Sequence, residues 1–452
     1  MAHYLLVPFG SAGDVNPFIW MGRLLKARGH DVELITSPLF DDAARRAELR
    51  FTGVGSKDEY EKILSHPDLW KPYKGTALVF EMAGKLLRPF YETIAGRIRP
   101  GETVLAAPFT MMAARAAREK FKCPLVTVHL QPVCFLSVHD TPIIMPGTEW
   151  MLKLPVWAKK ILFSLPNPSD FKLTPQVKAM CREINIPSPR RVVPDWMHSP
   201  DANLALFPEW FAAPQPDWPA NTHTVGFPLA DLRTLFELPA DLATWLQEGT
   251  KPVLFTPGTG NTQATAFFRE GLAACEKLGL RALLGTSFPE QLPSPLPSFA
   301  RHFAYLPFSE VLPHVSAFVH HGGIGTLSQG LAAGVPQLIM PMGHDQPDNV
   351  MRLQRLGTGD YLAPKQFKAG AVAAKLNTWC EMERSKRQPN APPPCAVLMN
   401  RSQGGRRNGV GRCRGKIRTL PVPMSLIQSP CWGASLAGHC PQFIRWVLNP
   451  PP

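Results

Sequence analysis

No apolar run in these 452 residues approaches the roughly 20 consecutive residues that a membrane-crossing helix needs, so the sequence offers no candidate span. Charge is sparse too, at 18% against 45% hydrophobic residues, a balance that suits a folded globular chain rather than a disordered one. The first residues, MAHYLLVPFG, lack the basic stretch and small-residue cleavage site of a secretory leader and read as a first β-strand. Cysteine is scarce. Nine residues without paired spacing argue against a disulfide framework and for a reducing compartment, so a cytoplasmic protein is expected. Two metal patterns are also missing, since neither H-x-x-x-H nor D-x-D occurs.

Acidic residues are in short supply, which gives a net charge of +13. From Thr378 onward 11 Lys+Arg face 2 Asp+Glu, so +9 belongs to the last stretch and only +4 to residues 1–377. The body of the chain is therefore not unusually basic, and no nucleic-acid partner is expected. Residues 378–452 have no sustained hydrophobic period, contain 11 Pro between 389 and 452, and hold five of the nine Cys. That irregular basic tail reads either as a disordered arm for nucleic acid or membrane, or as a frame-shifted replacement of the true C-terminus. Evolved basic arms seldom mix Cys, Trp and Pro so evenly, which favours the second.

What is present is alternation. Short apolar runs at 4–9, 32–36, 104–106 and 125–128 are separated by helical patterns, as in stacked β-α units on a parallel sheet. Asn16 and Pro17 suggest the cap and first turn of a helix whose Phe18, Met21 and Leu25 face a core and which stops at Gly29. A second alternation occupies 251–258, 281–284, 303–306, 317–319 and 337–340. Between them lies LFPEWFAAPQPDWPANTHTVGFP, rich in Pro and Trp and without a clean period. The expected organisation is a first α/β domain over 1–205, a linker over 206–232, a second α/β domain over 233–377, and the tail.

HHGGIGT, residues 320–326, directly follows a buried-strand pattern and leads into a helix expected over 325–333. A metal site would need converging ligands; His344 and Asp345 are near in sequence, but the spacing fits no metal pattern. A plain turn explains the glycines and leaves the rest unused. A glycine turn at the start of a helix aims backbone N–H groups and the positive helix end at one place, where a diphosphate can come close. Thr326 can add a hydroxyl, and a histidine can donate to a phosphate oxygen.

HHGGIGT followed by GVPQLIMP and HDQPDN resembles the nucleotide-sugar signature of the family 1 glycosyltransferases of GT-B fold, and GSAGDVNP (10–17) is similar to the first loop of their bacterial and sterol- and macrolide-glycosylating branch. Stretches such as PFIWMGRLLKARGHDVELITSPLF and LFPEWFAAPQPDWP resemble the bacterial rhamnosyltransferases of rhamnolipid synthesis; the resemblance covers residues 3–376. It implies an α/β chain of two Rossmann-like β/α/β domains facing across a cleft, and transfer of a sugar from a nucleoside diphosphate to an acceptor hydroxyl with inversion. It implies no cofactor and no metal, with a dTDP- or UDP-sugar as co-substrate.

By the same resemblance Asp14 is the candidate general base or the group that orients one, or else simply caps its helix, in a loop shaped by Gly10, Ser11 and Gly13. His320 should contact the diphosphate, His321 should either do so or pack inward, and Gly322, Gly323, Gly325 and Thr326 should supply donors. Asp345 and Gln346 match the pair that holds the donor sugar, unless they only begin a turn before Pro347. Gly258, Thr259 and Asn261 offer a second phosphate contact or an ordinary turn, and Tyr305 a wall for the nucleotide base or ordinary core.

Residues 75–200 should line the acceptor side. Their apolar stretches with scattered Lys, Trp and Phe read either as a lipid-accepting groove with peripheral contact at the inner membrane face, or as ordinary packing. The expected reaction moves rhamnose from dTDP-rhamnose onto a lipid or other apolar hydroxyl, with a partner enzyme supplying the lipid. The rivals are a UDP-sugar enzyme acting on a sterol, macrolide or other small aglycone, and an inactive nucleotide-binding relative disabled by its altered C-terminus.

Overall fold

The computed structural model describes residues 1–229 and 238–386, with side chains through residue 379. Two parallel sheets organise them. The first contains β1 (His3–Leu6), β2 (Asp31–Thr36), β3 (Arg50–Gly53), β4 (Thr103–Ala107), β5 (Leu125–His129), β6 (Ala202–Ala205) and β7 (Thr222–Thr224), in the order 3-2-1-4-5-6-7. The second contains β8 (Val253–Thr256), β9 (Ala282–Gly285), β10 (Ala300–Phe303), β11 (Ala317–His320), β12 (Gln337–Ile339) and β13 (Gly359–Tyr361), in the order 10-9-8-11-12-13. In each sheet the order reverses beside the first strand, between β1 and β4 and between β8 and β11. Such switch points open a crevice at the carboxyl ends of the strands, where ligands of open α/β sheets bind.

Both faces of each sheet are covered, which explains the continuous apolar runs. Leu5, Ile35 and Leu105 pack on one side of the first sheet, and Leu6, Leu34, Val104 and Ala106 on the other. In the second sheet Phe255, Leu284 and Val319 face one core, while Leu254, Leu283 and Phe318 face another. A further apolar cluster joins the two halves, combining Phe135, Phe207 and Phe211 with Leu327, Ile339, Val350 and Leu353.

Several boundaries differ from the sequence reading. The first helix runs Ala12–Ala27, so neither Asn16 nor Pro17 starts it. Ser11 and Asp14 form a capping box that begins the helix earlier, and Pro17 lies inside it at the expense of one backbone bond. The segment 206–232 is not purely a connector, because it supplies β7 to the first sheet. The helix Ala369–Lys386 crosses the expected start of the tail at 378 and packs on the helix Thr265–Leu278, with Val372 and Leu376 in the core. The tail beyond it, 387–452, lies outside the described residues.

Candidate active site

The loop after β1 places Asp14 at the third position of the first helix. Ser11 N–H and Ser11 Oγ both donate to Asp14 Oδ2, at 2.8 and 3.0 Å. Gly10 makes this possible: its φ is +132°, and a Cβ there would fall 2.3 Å from the same carboxylate oxygen. Asp14 therefore does cap its helix, with one oxygen. None of the described hydrogen bonds uses Oδ1. Burial, with a smaller contribution from the nearby Asp345 carboxylate, pushes its pKa up to about 6 despite the two bonds from Ser11. Gly13 stands exposed on the same turn.

From the second half, β11 delivers the two histidines to opposite environments, as adjacent strand residues must. His320 is fully buried. The Gly322 N–H donates to its Nδ1 at 3.1 Å, so Nε2 carries the proton and donates to Gln337 Oε1 at 2.8 Å. With both nitrogens committed inside the domain, His320 does not face the crevice, contrary to the sequence expectation. His321 does. Its ring lies between two glycines: a Cβ on Gly258 would sit 2.6 Å from the ring, and one on Gly323 2.5 Å from Nε2. Burial lowers the pKa of His321 to about 4, so the ring is neutral near pH 7 and can donate one N–H; its Nδ1 is buried without a hydrogen-bond partner.

The helix Ile324–Ala332 starts at the second glycine, with Gly323 as an N-cap that provides no side-chain acceptor. Gly322 carries the turn at φ +93°. The first helical N–H groups have no carbonyl one turn back; that of Ile324 reaches Asp345 Oδ2 at 3.3 Å. Gly325 and the half-buried Thr326 follow it at the open end. Asp345 also accepts from Asn349 Nδ2 at 2.7 Å, and burial raises its pKa to about 6.

Gln346 departs from expectation. It is buried, and its Oε1 accepts from the backbone N–H groups of Met342 and Gly343 at 2.7 and 3.2 Å, which closes its own loop. Only its Nε2 is uncommitted among the described hydrogen bonds. Asn261 is likewise turned inward: Oδ1 accepts from Gln263 N–H, Nδ2 contacts Met342 Sδ at 3.5 Å, and the residue is 1% exposed. It builds the turn and does not present a phosphate donor. Gly258, at φ +91°, and the exposed Thr259 remain on the crevice side of that turn. Tyr305 lies beyond the end of β10, half-buried in a loop rather than on a strand.

Two residues outside the expected donor-binding set, Trp70 and His344, complete the site. Trp70, from the loop before the helix Lys74–Lys85, meets His321 and His344 edge-on, with ring centroids 6.4 and 5.6 Å away. Gly260 and Gly343 lie against Trp70, within van der Waals reach of its ring and of its backbone carbonyl. The indole N–H is buried without a partner. His344, at φ +58°, donates from Nε2 to the Leu69 carbonyl at 3.0 Å and ties the two halves together over the crevice. A lone tryptophan in a polar loop, HPDLWKPY, gives a sequence reader no period and no motif. Behind the site Arg352, 3% exposed, pairs with Asp348 and with Asp140 at 2.8 Å each, and Ile143 N–H donates to Asp348. Among the described residues no group of three or more His, Cys, Asp or Glu is arranged to hold a metal ion.

Comparison with known proteins agrees with this architecture. Residues 4–138 match the glycosyltransferase family 28 N-terminal domain, and residues 288–388 match the C-terminal domain of the erythromycin biosynthesis protein CIII-like group. The O-mycaminosyltylonolide 6-deoxyallosyltransferase of Streptomyces fradiae is 26% identical over 389 residues, which is 82% of this chain and 88% of that protein. An uncharacterized glycosyltransferase of Mycobacterium tuberculosis is 25% identical over 369 residues, 79% of this chain and 86% of the relative. Among solved structures, the spinosyn rhamnosyltransferase SpnG superposes with a TM-score of 0.59 at 18% identity, covering 88% of this chain and all of that one. The glycosyltransferase VinC, solved in complex with dTDP, gives 0.57 at 17% identity, covering 83% of this chain and 90% of that one.

Proposed function

The chain is a family 1 glycosyltransferase of GT-B fold on the macrolide branch, and from that premise we propose that it transfers a sugar with inversion and without a metal, Asp14 acting as the base. The observation that carries this reading is that Asp14, from the first sheet, lies near enough to Asp345 and His344, from the second, to feel their charge, while Asp345 accepts from the first N–H of the helix Ile324–Ala332 and His321 packs on Gly323 beside it. Asp14 Oδ1 would take the proton of the acceptor hydroxyl as its oxygen attacks the anomeric carbon. The departing nucleoside diphosphate would be received by the helix N–H groups, the Thr326 hydroxyl and the neutral His321 N–H, all positioned before charge develops. Asp345 and the Gln346 amide would orient the sugar hydroxyls.

As donor we propose dTDP-rhamnose; the solved relatives described with thymidine diphosphate and the rhamnosyltransferase among them support it. A lipid or other apolar alcohol is the proposed acceptor. The Streptomyces relative, named for a tylonolide substrate, favours a second reading in which a macrolide-like aglycone takes the sugar. Thermal shift with dTDP and with UDP tests the donor: ligand at 100 times its Kd should add about 2.7 kcal/mol. The shift should follow dTDP and vanish in His321→Ala. A shift with UDP alone would replace the donor assignment. Mass analysis of products from dTDP-rhamnose with a hydroxy-fatty-acid acceptor and with a macrolide aglycone then separates the acceptors, and product formation by Asp14→Asn at the wild-type rate would remove the base.

A further inference from the structure

Ten large apolar side chains are exposed among the described residues, and six of them fall between positions 150 and 171: Trp150, Val156, Trp157, Ile161, Leu165 and Phe171, with Trp157 at 67% and Phe171 at 71% exposure. They lie on one stretch of irregular turn and two short helices, Val156–Ser164 and Pro168–Lys172. The first helix is inverted. Its one buried residue is Lys159, while Trp157 and Ile161, one turn apart, stand in solvent.

This arrangement is fixed rather than loose. Arg191 donates to the Ser164 and Leu165 carbonyls at 2.6 and 2.7 Å, ending the first helix, and pairs with Asp170 at 2.7 Å, anchoring the second. The exposed apolar area is on the order of several hundred Å2, at or above the largest patch of an ordinary monomer. Such a face either meets something apolar or stays as a liability in water.

The surrounding charge selects among occupants. Lys153 and Lys160 are exposed beside the patch, Lys172 is paired with Glu81 at 3.6 Å, the Asp170 carboxylate is spent on Arg191, and Glu149 is the remaining acid of the stretch. A second copy of the same face would set lysine against lysine. Tryptophans with an apolar body and a polar N–H, set among lysines, suit the boundary between headgroups and acyl chains, with the ammonium groups at lipid phosphates. We propose that this face docks the enzyme peripherally on a bilayer containing anionic lipid. The inference is independent of which sugar or acceptor the active site takes.

Flotation of the full chain with vesicles tests it, using phosphatidylcholine alone and phosphatidylcholine mixed with phosphatidylglycerol. The wild type should float with the mixed vesicles, and Trp157→Ser/Ile161→Ser should bind at least tenfold less while melting at the wild-type temperature. Brominated lipid should quench wild-type tryptophan fluorescence and lose that part of the quenching in Trp150→Phe/Trp157→Phe. If the serine variant fails to fold, Lys153→Glu/Lys160→Glu should lose the preference for anionic vesicles. No flotation at low salt would overturn the proposal. Equal flotation of wild type and patch variants would also do so, by placing lipid binding on basic residues elsewhere in the chain. A wild-type dimer that the serine variant converts to monomer, without vesicle binding, would assign the face to a second copy instead.

Discussion

At the scale of single residues, the two histidines of one dipeptide have opposite duties because strand side chains alternate. His320→Ala strands the Gln337 oxygen and the Gly322 N–H inside the domain, at a cost of about 1–3 kcal/mol for each unsatisfied buried group. Its melting temperature should therefore fall, and any surviving folded protein should still bind nucleotide. His321→Ala should melt near the wild type and lose nucleotide binding; calorimetry on both variants checks the reversal. Asp14 makes a prediction in pH. Its carboxyl is held up near pH 6, so the proposed base role predicts that transfer rises as pH climbs through that value and the carboxyl ionises. Asp345→Asn removes one of the influences that raise it, and the acid limb of the rate profile should move to lower pH even as the rate drops. The linked stability has the opposite slope. A folded pKa above the unfolded one favours folding fully below about pH 4 and loses that contribution as pH rises through 6. Asp14→Asn should accordingly melt higher than wild type at pH 7.5 and no higher at pH 4. Equal differences at the two pH values would refute the burial argument.

At the scale of elements, the turn between β11 and the helix Ile324–Ala332 depends on Gly322. Its φ of +93° disfavours any side chain, and a Cβ would come 2.7 Å from Ile339 Cγ2. Gly322→Ala should cost about 1–3 kcal/mol and dislodge the helix start, so melting temperature and nucleotide affinity should fall together. This strand–turn–helix was legible from sequence because a buried parallel strand is a continuous apolar run and the glycines mark its end. So were β1, β2, β4, β5, β8, β9, β11 and β12, for the same reason. Of the strands that were not legible, β3, β7 and β13 are short, partly exposed edge segments whose side chains alternate little, while β6 is buried but only four residues long, with Asn203 interrupting its apolar run. β10 starts three residues earlier than its apolar run suggests, because Ala300 rather than Phe303 opens the pairing with β9. In the site, the residues on motif glycines could be located from spacing. Which way His320, Gln346 and Asn261 point could not, since that depends on partners such as Gln337, Gly343 and Met342 that only the folded chain brings near. Trp70 carried no signal at all.

At the scale of the whole molecule, the two halves are held by apolar contact around Phe207 and Leu353, by the His344–Leu69 hydrogen bond, and by the buried Asp140–Arg352–Asp348 arrangement. Removing one member of such a buried set leaves charge without compensation, so Arg352→Ala should cost about 3–5 kcal/mol. It should also loosen the pairing of the halves more than either half itself, which differential hydrogen exchange on Ile143 against core strands such as β1 and β8 would reveal. The same triad bears on recombination. Glycosyltransferases built as two α/β halves invite chimeras, in which the sugar-donor half of one chain is joined to the acceptor half of another. A crossover placed between β7 and β8 would cut Asp140 away from its two arginine partners, leaving the Arg352–Asp348 pair and Arg355 to face whatever the foreign loop supplies. Chimeras that carry the 140 and 352 positions from one parent, or that match them as an acid–base pair, should assemble; those that inherit them separately should express as two folded halves with a slack crevice and little transfer.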